Sequence, residues 1–136
     1  MFRARLCECV MVALVLSTTL VFGPTAISAQ LSQITGSWRG GGSVTHLSGG
    51  RERVRCRVKF KRWSKTTVRM KAVCATTAAR VVQTALLRRV GSNRFIGTFH
   101  NDEYGVTGRI RITVRGRRLS AYFSSETGSA SLNLRR

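Results

Sequence analysis

Residues 51–76 read RERVRCRVKFKRWSKTTVRMKAVCAT, and their alternation, their turn and their two cysteines all specify the same strand pairing. From Val54 the even positions are Val54, Cys56, Val58 and Phe60, interleaved with Arg53, Arg55, Arg57, Lys59 and Lys61. A period of two with one apolar and one basic face is the pattern of a strand covered on one side. After Trp63-Ser64-Lys65-Thr66 the pattern resumes, with Val68, Met70, Ala72 and Cys74 on one side and Arg69 and Lys71 on the other. Folding the stretch about Lys65 sets Phe60 opposite Met70, Val58 opposite Ala72 and Cys56 opposite Cys74. Directly opposed antiparallel residues have Cα atoms about 4.5–5.5 Å apart, a separation that a disulfide accepts. The register therefore predicts a hairpin stapled by a Cys56–Cys74 bond.

Upstream, residues 1–29 read as a targeting segment. Arg3 and Arg5 form a positive start, residues 10–22 are apolar, Gly23-Pro24 interrupts them, and the small residues Ala26, Ser28 and Ala29 follow. This is the pattern of a cleaved export signal, with cleavage expected just before Gln30. An uncleaved anchor is the alternative, but the apolar run is shorter than the roughly 20 residues that a membrane span needs. Cys7 and Cys9 precede the apolar run and leave with the signal. Residues 30–136 then make one small domain with one modest core. Its two remaining cysteines, 18 positions apart, suit an oxidising compartment and a disulfide worth about 3 kcal/mol in the chain-entropy model. The periplasm is the expected location, with secretion as the alternative.

Of 24 basic residues only Arg3 and Arg5 lie in the signal, and of five acidic residues only Glu8. The domain thus carries 22 positive side chains against four negative, a net charge of +18.

Strands continue along the whole domain. Residues 35–46 hold Trp38 and Val44 around Gly40, Gly41 and Gly42, and glycine within a strand marks a bulge or a sharp bend. Residues 79–90 favour a strand through their valine and threonine content, although Val81, Val82, Ala85 and Leu86 would also suit a short helix. Phe95, Gly97 and Phe99 alternate with Ile96 and Thr98. Val106, Gly108, Ile110, Ile112 and Val114 alternate with Arg109, Arg111, Thr113 and Arg115. Gly116-Arg117 fits a two-residue hairpin loop, which would pair Val114 with Leu119, Ile112 with Ala121 and Ile110 with Phe123. Ala130, Leu132 and Leu134 mark a last strand. About eight strands joined by short loops make an all-β antiparallel meander, and closure hides both its edges and its apolar face. The expected fold is a small up-and-down β-barrel or half-barrel with one disulfide. Trp38, Val58, Phe60, Met70, Ile110, Ile112 and Phe123 are assigned to its interior.

The blocks Gly36-Ser37-Trp38-Arg39-Gly40-Gly41-Gly42, Gly50-Arg51-Glu52-Arg53-Val54-Arg55-Cys56-Arg57, Cys74-Ala75 and Phe95-Ile96-Gly97-Thr98-Phe99, with Gly105 and Gly108, carry a resemblance. In them the chain resembles a group of small exported alphaproteobacterial β-barrel proteins across most of the domain. That group often has tryptophan where this chain has Phe99. The resemblance implies the fold, export and the disulfide, and brings no site residues with it.

Catalytic signals are weak. His46 and His100 stand at strand ends, and a basic exported chain with two histidines invites comparison with cationic ribonucleases, but solvated loop-end histidines are the plainer reading. Asp102 and Glu103 are adjacent in one turn, where neighbouring side chains diverge. No metal spacing, phosphate loop or nucleophile elbow is present, so no cofactor and no catalysis are expected.

The charge is the feature that asks for a partner. The first hairpin sets Lys59 against Lys71 and Lys61 against Arg69, and the second sets Arg115 against Arg118. Each like-charged pair costs roughly 0.2–1 kcal/mol. A solvated, edge-protecting surface is one account of this. The other is an anionic envelope component, whether lipopolysaccharide, anionic lipid or acidic polysaccharide. It would be held by Arg55, Arg57, Lys59, Lys61, Arg69 and Lys71 on the first hairpin and by Arg109, Arg111, Arg115 and Arg118 on the second. Nucleic acid would serve chemically, but export makes the meeting improbable. A lipocalin-like carrier of a small apolar ligand is the second functional class, although an interior filled by its own side chains is preferred because few polar groups were assigned inward.

Overall fold

The computed structural model describes residues 31–136, so the expected targeting segment lies outside the described residues. Eight strands follow one another: β1 (Gly36–His46), β2 (Arg51–Arg62), β3 (Thr67–Ala75), β4 (Arg80–Arg89), β5 (Arg94–Asn101), β6 (Val106–Arg115), β7 (Arg118–Ser125) and β8 (Gly128–Arg135). Each pairs antiparallel with the next, and β1 also pairs with β8, which closes the barrel and removes the half-barrel alternative. The stretch 80–89 is strand, so β-branched content prevails over the helical spacing.

Both hairpin registers take the predicted form. Cys56 lies opposite Cys74 and is bonded to it, Val58 opposite Ala72 and Phe60 opposite Met70. Val114 faces Leu119, Ile112 faces Ala121 and Ile110 faces Phe123. Gly116 has φ +58°, which the tight loop between β6 and β7 demands and which a side chain would oppose. In β1 the glycine run serves closure. A Cβ on Gly40 or Gly42 would run into the carbonyl oxygens of Asn133 or Ser131 on β8, and one on Gly41 would meet the Val54 carbonyl on β2. The strand can bend inward between two neighbours because it carries nothing there.

The seven residues assigned to the interior are all buried: Trp38, Val58, Phe60, Met70, Ile110, Ile112 and Phe123. One end of the lumen is filled by large side chains. There Trp38, Phe60, Met70, Leu87, Phe95 and Leu119 fill the lumen, and each is no more than 2% exposed. A turn just ahead of β1 seals this end by inserting Leu31 and Ile34, both fully buried. The Trp38 indole N–H donates to the Ile34 carbonyl at 2.8 Å, the Arg136 guanidinium donates to the Thr35 carbonyl at 2.9 Å, and the same guanidinium lies 4.7 Å from the Trp38 ring centroid. No local sequence pattern marks this seal, since alternation begins only with the first strand.

Candidate functional site

On β1, β2, β3 and β8 the inward residues become smaller toward the other end. On β1 they run from Trp38 to Val44, on β2 from Phe60 to Val54, on β3 from Met70 to Cys74, and on β8 from Leu134 to Ala130. A closed eight-stranded wall holds its diameter, so smaller side chains leave space. The result is a cavity of about 300 Å³, open at the mouth. The expectation of a filled interior is corrected to a half-filled one: one half of the lumen is solid, and the other is hollow.

The cavity wall is apolar, with Val54, Val81, Phe99, Val106, Phe123 and Leu132 among its residues. Phe99 and Phe123 meet edge to face with centroids 5.3 Å apart. The disulfide is part of the wall, since both Cys56 and Cys74 line the space. The few inward polar groups include two amides that the sequence reading left unassigned, Gln83 and Asn101. Asn101 is 4% exposed, and its Oδ1 accepts the Tyr104 backbone N–H at 3.1 Å. Its amide nitrogen remains to serve the cavity. Gln83 is half-buried and contributes a full amide to a mostly apolar wall. At the mouth His46 contacts Glu52 at 3.2 Å, an exposed pair of the kind that contributes little to stability. The carboxylates Glu52, Asp102, Glu103 and Glu126 all lie at this end, and they are the only acidic residues of the domain.

The two histidines are not brought together. His46 lines the mouth, whereas His100 lies on the outer surface with its Nδ1 3.2 Å from the Thr107 hydroxyl. Among the described residues no group of three histidine, cysteine, aspartate or glutamate side chains is placed to hold a metal ion.

All ten residues assigned to anion binding are exposed on the outer surface. Arg55, Arg57, Lys59, Lys61, Arg69 and Lys71 share β2 and β3, and the predicted like-charge pairs Lys59–Lys71 and Lys61–Arg69 stand directly opposed. Arg109, Arg111 and Arg115 lie on β6 and Arg118 on β7, well around the barrel from the first group. Two aromatic residues carry cations on their faces: the Arg69 guanidinium lies 4.6 Å from the Trp63 centroid, and that of Arg111 5.6 Å from the Tyr122 centroid.

Closure joins the two groups through residues that were not among the ten. Arg57 faces Arg39, Arg39 faces Arg135, Arg135 faces Arg118, and Arg118 faces Arg115. Five directly opposed arginines thus form one row across β2, β1, β8, β7 and β6, and the row contains no carboxylate. Its only signal lies in the pairing of the first strand with the last, which no local pattern specifies.

No protein-family model matches the chain, and no curated protein matches its sequence. Solved structures do match its fold. A redesigned β-barrel is 12% identical and superposes with a TM-score of 0.64 over 79% of this chain and 94% of its own. The redesigned barrel mFAP1, whose structure is of its complex with DFHBI, is 11% identical with a TM-score of 0.67 over 79% of this chain and 98% of its own. A de novo designed fluorescence-activating β-barrel is 14% identical with a TM-score of 0.61 over 78% of this chain and 95% of its own. At such identities the likeness shows a shared fold.

Proposed function

We propose that this protein is an exported, non-catalytic barrel of the cell envelope that holds a small, mostly apolar ligand in the open half of its lumen. The observation that carries the reading is the cavity of about 300 Å³, with its apolar wall and the amides of Gln83 and Asn101. Ligand sites are concave, mainly apolar and supplied with a few polar groups, and begin at about this size. The disulfide in the wall and the buried far end hold the space open without a ligand, so little ordering opposes binding. A redesigned barrel of this fold, mFAP1, is seen bound to DFHBI, which supports the architecture as a carrier. The two amides favour an uncharged ligand with a carbonyl or hydroxyl group on an apolar body. The test is a titration with a neutral, polarity-sensitive fluorophore at low and high salt. Saturable binding at one site that salt leaves unchanged is expected; a signal that salt abolishes would place the dye on the charged exterior and refute the reading.

A second reading is supported by the arginine row and the opposed lysines of the first hairpin. It is that the basic exterior holds an anionic envelope component: lipopolysaccharide, anionic lipid or acidic polysaccharide. Like charges held face to face are relieved by an anion that lies across them. Replacing Lys59, Lys61, Arg69 and Lys71 with glutamine is expected to abolish retention on an anionic matrix at moderate salt while leaving the fold intact. Unchanged retention would remove these side chains from the binding surface.

A further inference from the structure

The acidic side chains of the exterior are sorted by end, whereas exposed apolar side chains occur at both, with Leu47 and Tyr104 at the mouth. Every acidic side chain of the domain lies at the mouth, and the sealed end has none. At the sealed end the loop after β2 carries Trp63 and Lys65, the loop after β4 carries Val90, and the loop after β6 is Gly116-Arg117 between Arg115 and Arg118. Trp63 is 57% exposed and Val90 44% exposed. The row of five arginines runs around the barrel toward this same end, where β6 finishes, β7 starts and β8 finishes.

From this sorting we infer that the sealed end docks end-on onto a lipid bilayer that bears anionic phosphate headgroups, with the cavity mouth facing away from it. The inference rests on the reading that the basic exterior binds an anionic envelope component, and it adds which component and which end. Three features of the molecule select a bilayer. A tryptophan at the tip of a basic hairpin suits the headgroup layer, where an amphipathic ring finds both an apolar and a polar surrounding. Arginine and lysine stems lie along the apolar boundary while their charged heads meet phosphate. The acidic side chains are as far from the contact as the barrel allows, so the field of the molecule turns the sealed end toward a negative surface before contact. A linear polyanion lying along the wall would need no apolar tip and would gain nothing from charge sorted by end.

The consequence for function is geometric. A barrel standing on its sealed end presents the cavity to the surrounding solution, so ligand enters and leaves without the protein detaching.

The test measures binding to vesicles of zwitterionic lipid with and without anionic phospholipid, using the purified protein and two triple variants of equal charge. The first is Lys65→Gln, Arg115→Gln, Arg118→Gln at the sealed end, and the second is Arg51→Gln, Arg53→Gln, Arg80→Gln near the mouth. Each basic residue close to an anionic membrane contributes about 1 kcal/mol, so the first variant is expected to bind roughly 100-fold more weakly. The second group is about 20 Å or more from the contact, two screening lengths at 0.1 M salt, and its loss is expected to change affinity only a few-fold. Trp63 emission is expected to shift to the blue on binding and to be quenched by brominated lipid, while the buried Trp38 stays silent. Equal losses in the two variants would overturn the end-on orientation and leave the anionic reading standing. Absence of binding by the unsubstituted protein at low salt would overturn both. Binding to a soluble acidic polysaccharide without binding to vesicles would replace the bilayer by that partner.

Discussion

The two ends of this barrel are built from the same eight strands and the same alternation, yet one is solid and the other hollow. At the sealed end Trp38, Phe60 and Phe95 project inward and the turn of Leu31 and Ile34 closes the lumen. At the mouth the corresponding places on β1, β2, β3 and β8 hold Val44, Val54, Cys74 and Ala130, which line the open cavity. A closed wall of fixed strand number sets a diameter that side chains must either fill or leave empty. The contrast teaches that in so small a barrel side-chain volume decides where stability resides and where ligand can enter. The outside repeats the division, with the acidic side chains at the mouth and only basic charged side chains at the seal.

Matched leucine truncations test the inside of this contrast most severely. Leu87 is fully buried away from the cavity, and Leu132 lines it. Leu87→Ala is expected to destabilise by about 4 kcal/mol in chemical denaturation, because it opens a new void, whereas Leu132→Ala should cost nearer ~2 kcal/mol, because it enlarges an existing one that water can reach. Equal losses would mean that the hollow half is as tightly filled as the solid half. Cleaving the disulfide comes next. Reduction is expected to lower stability by about 3 kcal/mol through the freed 18-residue loop, and to weaken ligand binding because both sulfurs are in the cavity wall. A melting temperature unaltered by strong reductant would show that the β2–β3 pairing does not depend on the staple. The smallest effect belongs to the outside. Arg39→Gln removes the central repulsion of the arginine row and is expected to raise stability by about 0.2–1 kcal/mol at low salt, with the gain vanishing in high salt. A loss of stability at low salt would show that Arg39 contributes more by its stem than it costs by its charge.

Much of the architecture was legible because it is local. Residues 51–76 specify a register through alternation, a turn and two cysteines that must meet, and residues 106–125 do so through alternation and a glycine-led loop; both pairings stand residue for residue. What escaped is non-local. The pairing of β1 with β8 brings Arg39 beside Arg135, but β1 has glycine at positions 40, 41 and 42 and so offers no side-chain pattern from which to read a partner. The cavity escaped for a related reason. Each strand alone shows apolar residues facing inward, and the space appears only when the small residues of several strands fall at the same height. Gln83 was hidden in a stretch where Val81, Val82, Ala85 and Leu86 left helix and strand in competition, so its face could not be assigned. Leu31 and Ile34 fell between the signal and the first strand, where no alternation marks them as core.

The most direct measurement is the affinity for a neutral fluorophore in three forms of the protein: unsubstituted, Ala130→Trp in the hollow half, and Arg39→Gln on the outside. Ala130 borders the cavity, and an indole there would occupy much of its volume. Binding that Ala130→Trp abolishes and Arg39→Gln leaves unchanged is the predicted result and would place the ligand in the open half of the barrel. Binding that persists in Ala130→Trp would contradict the account, because the cavity would then have no part in it.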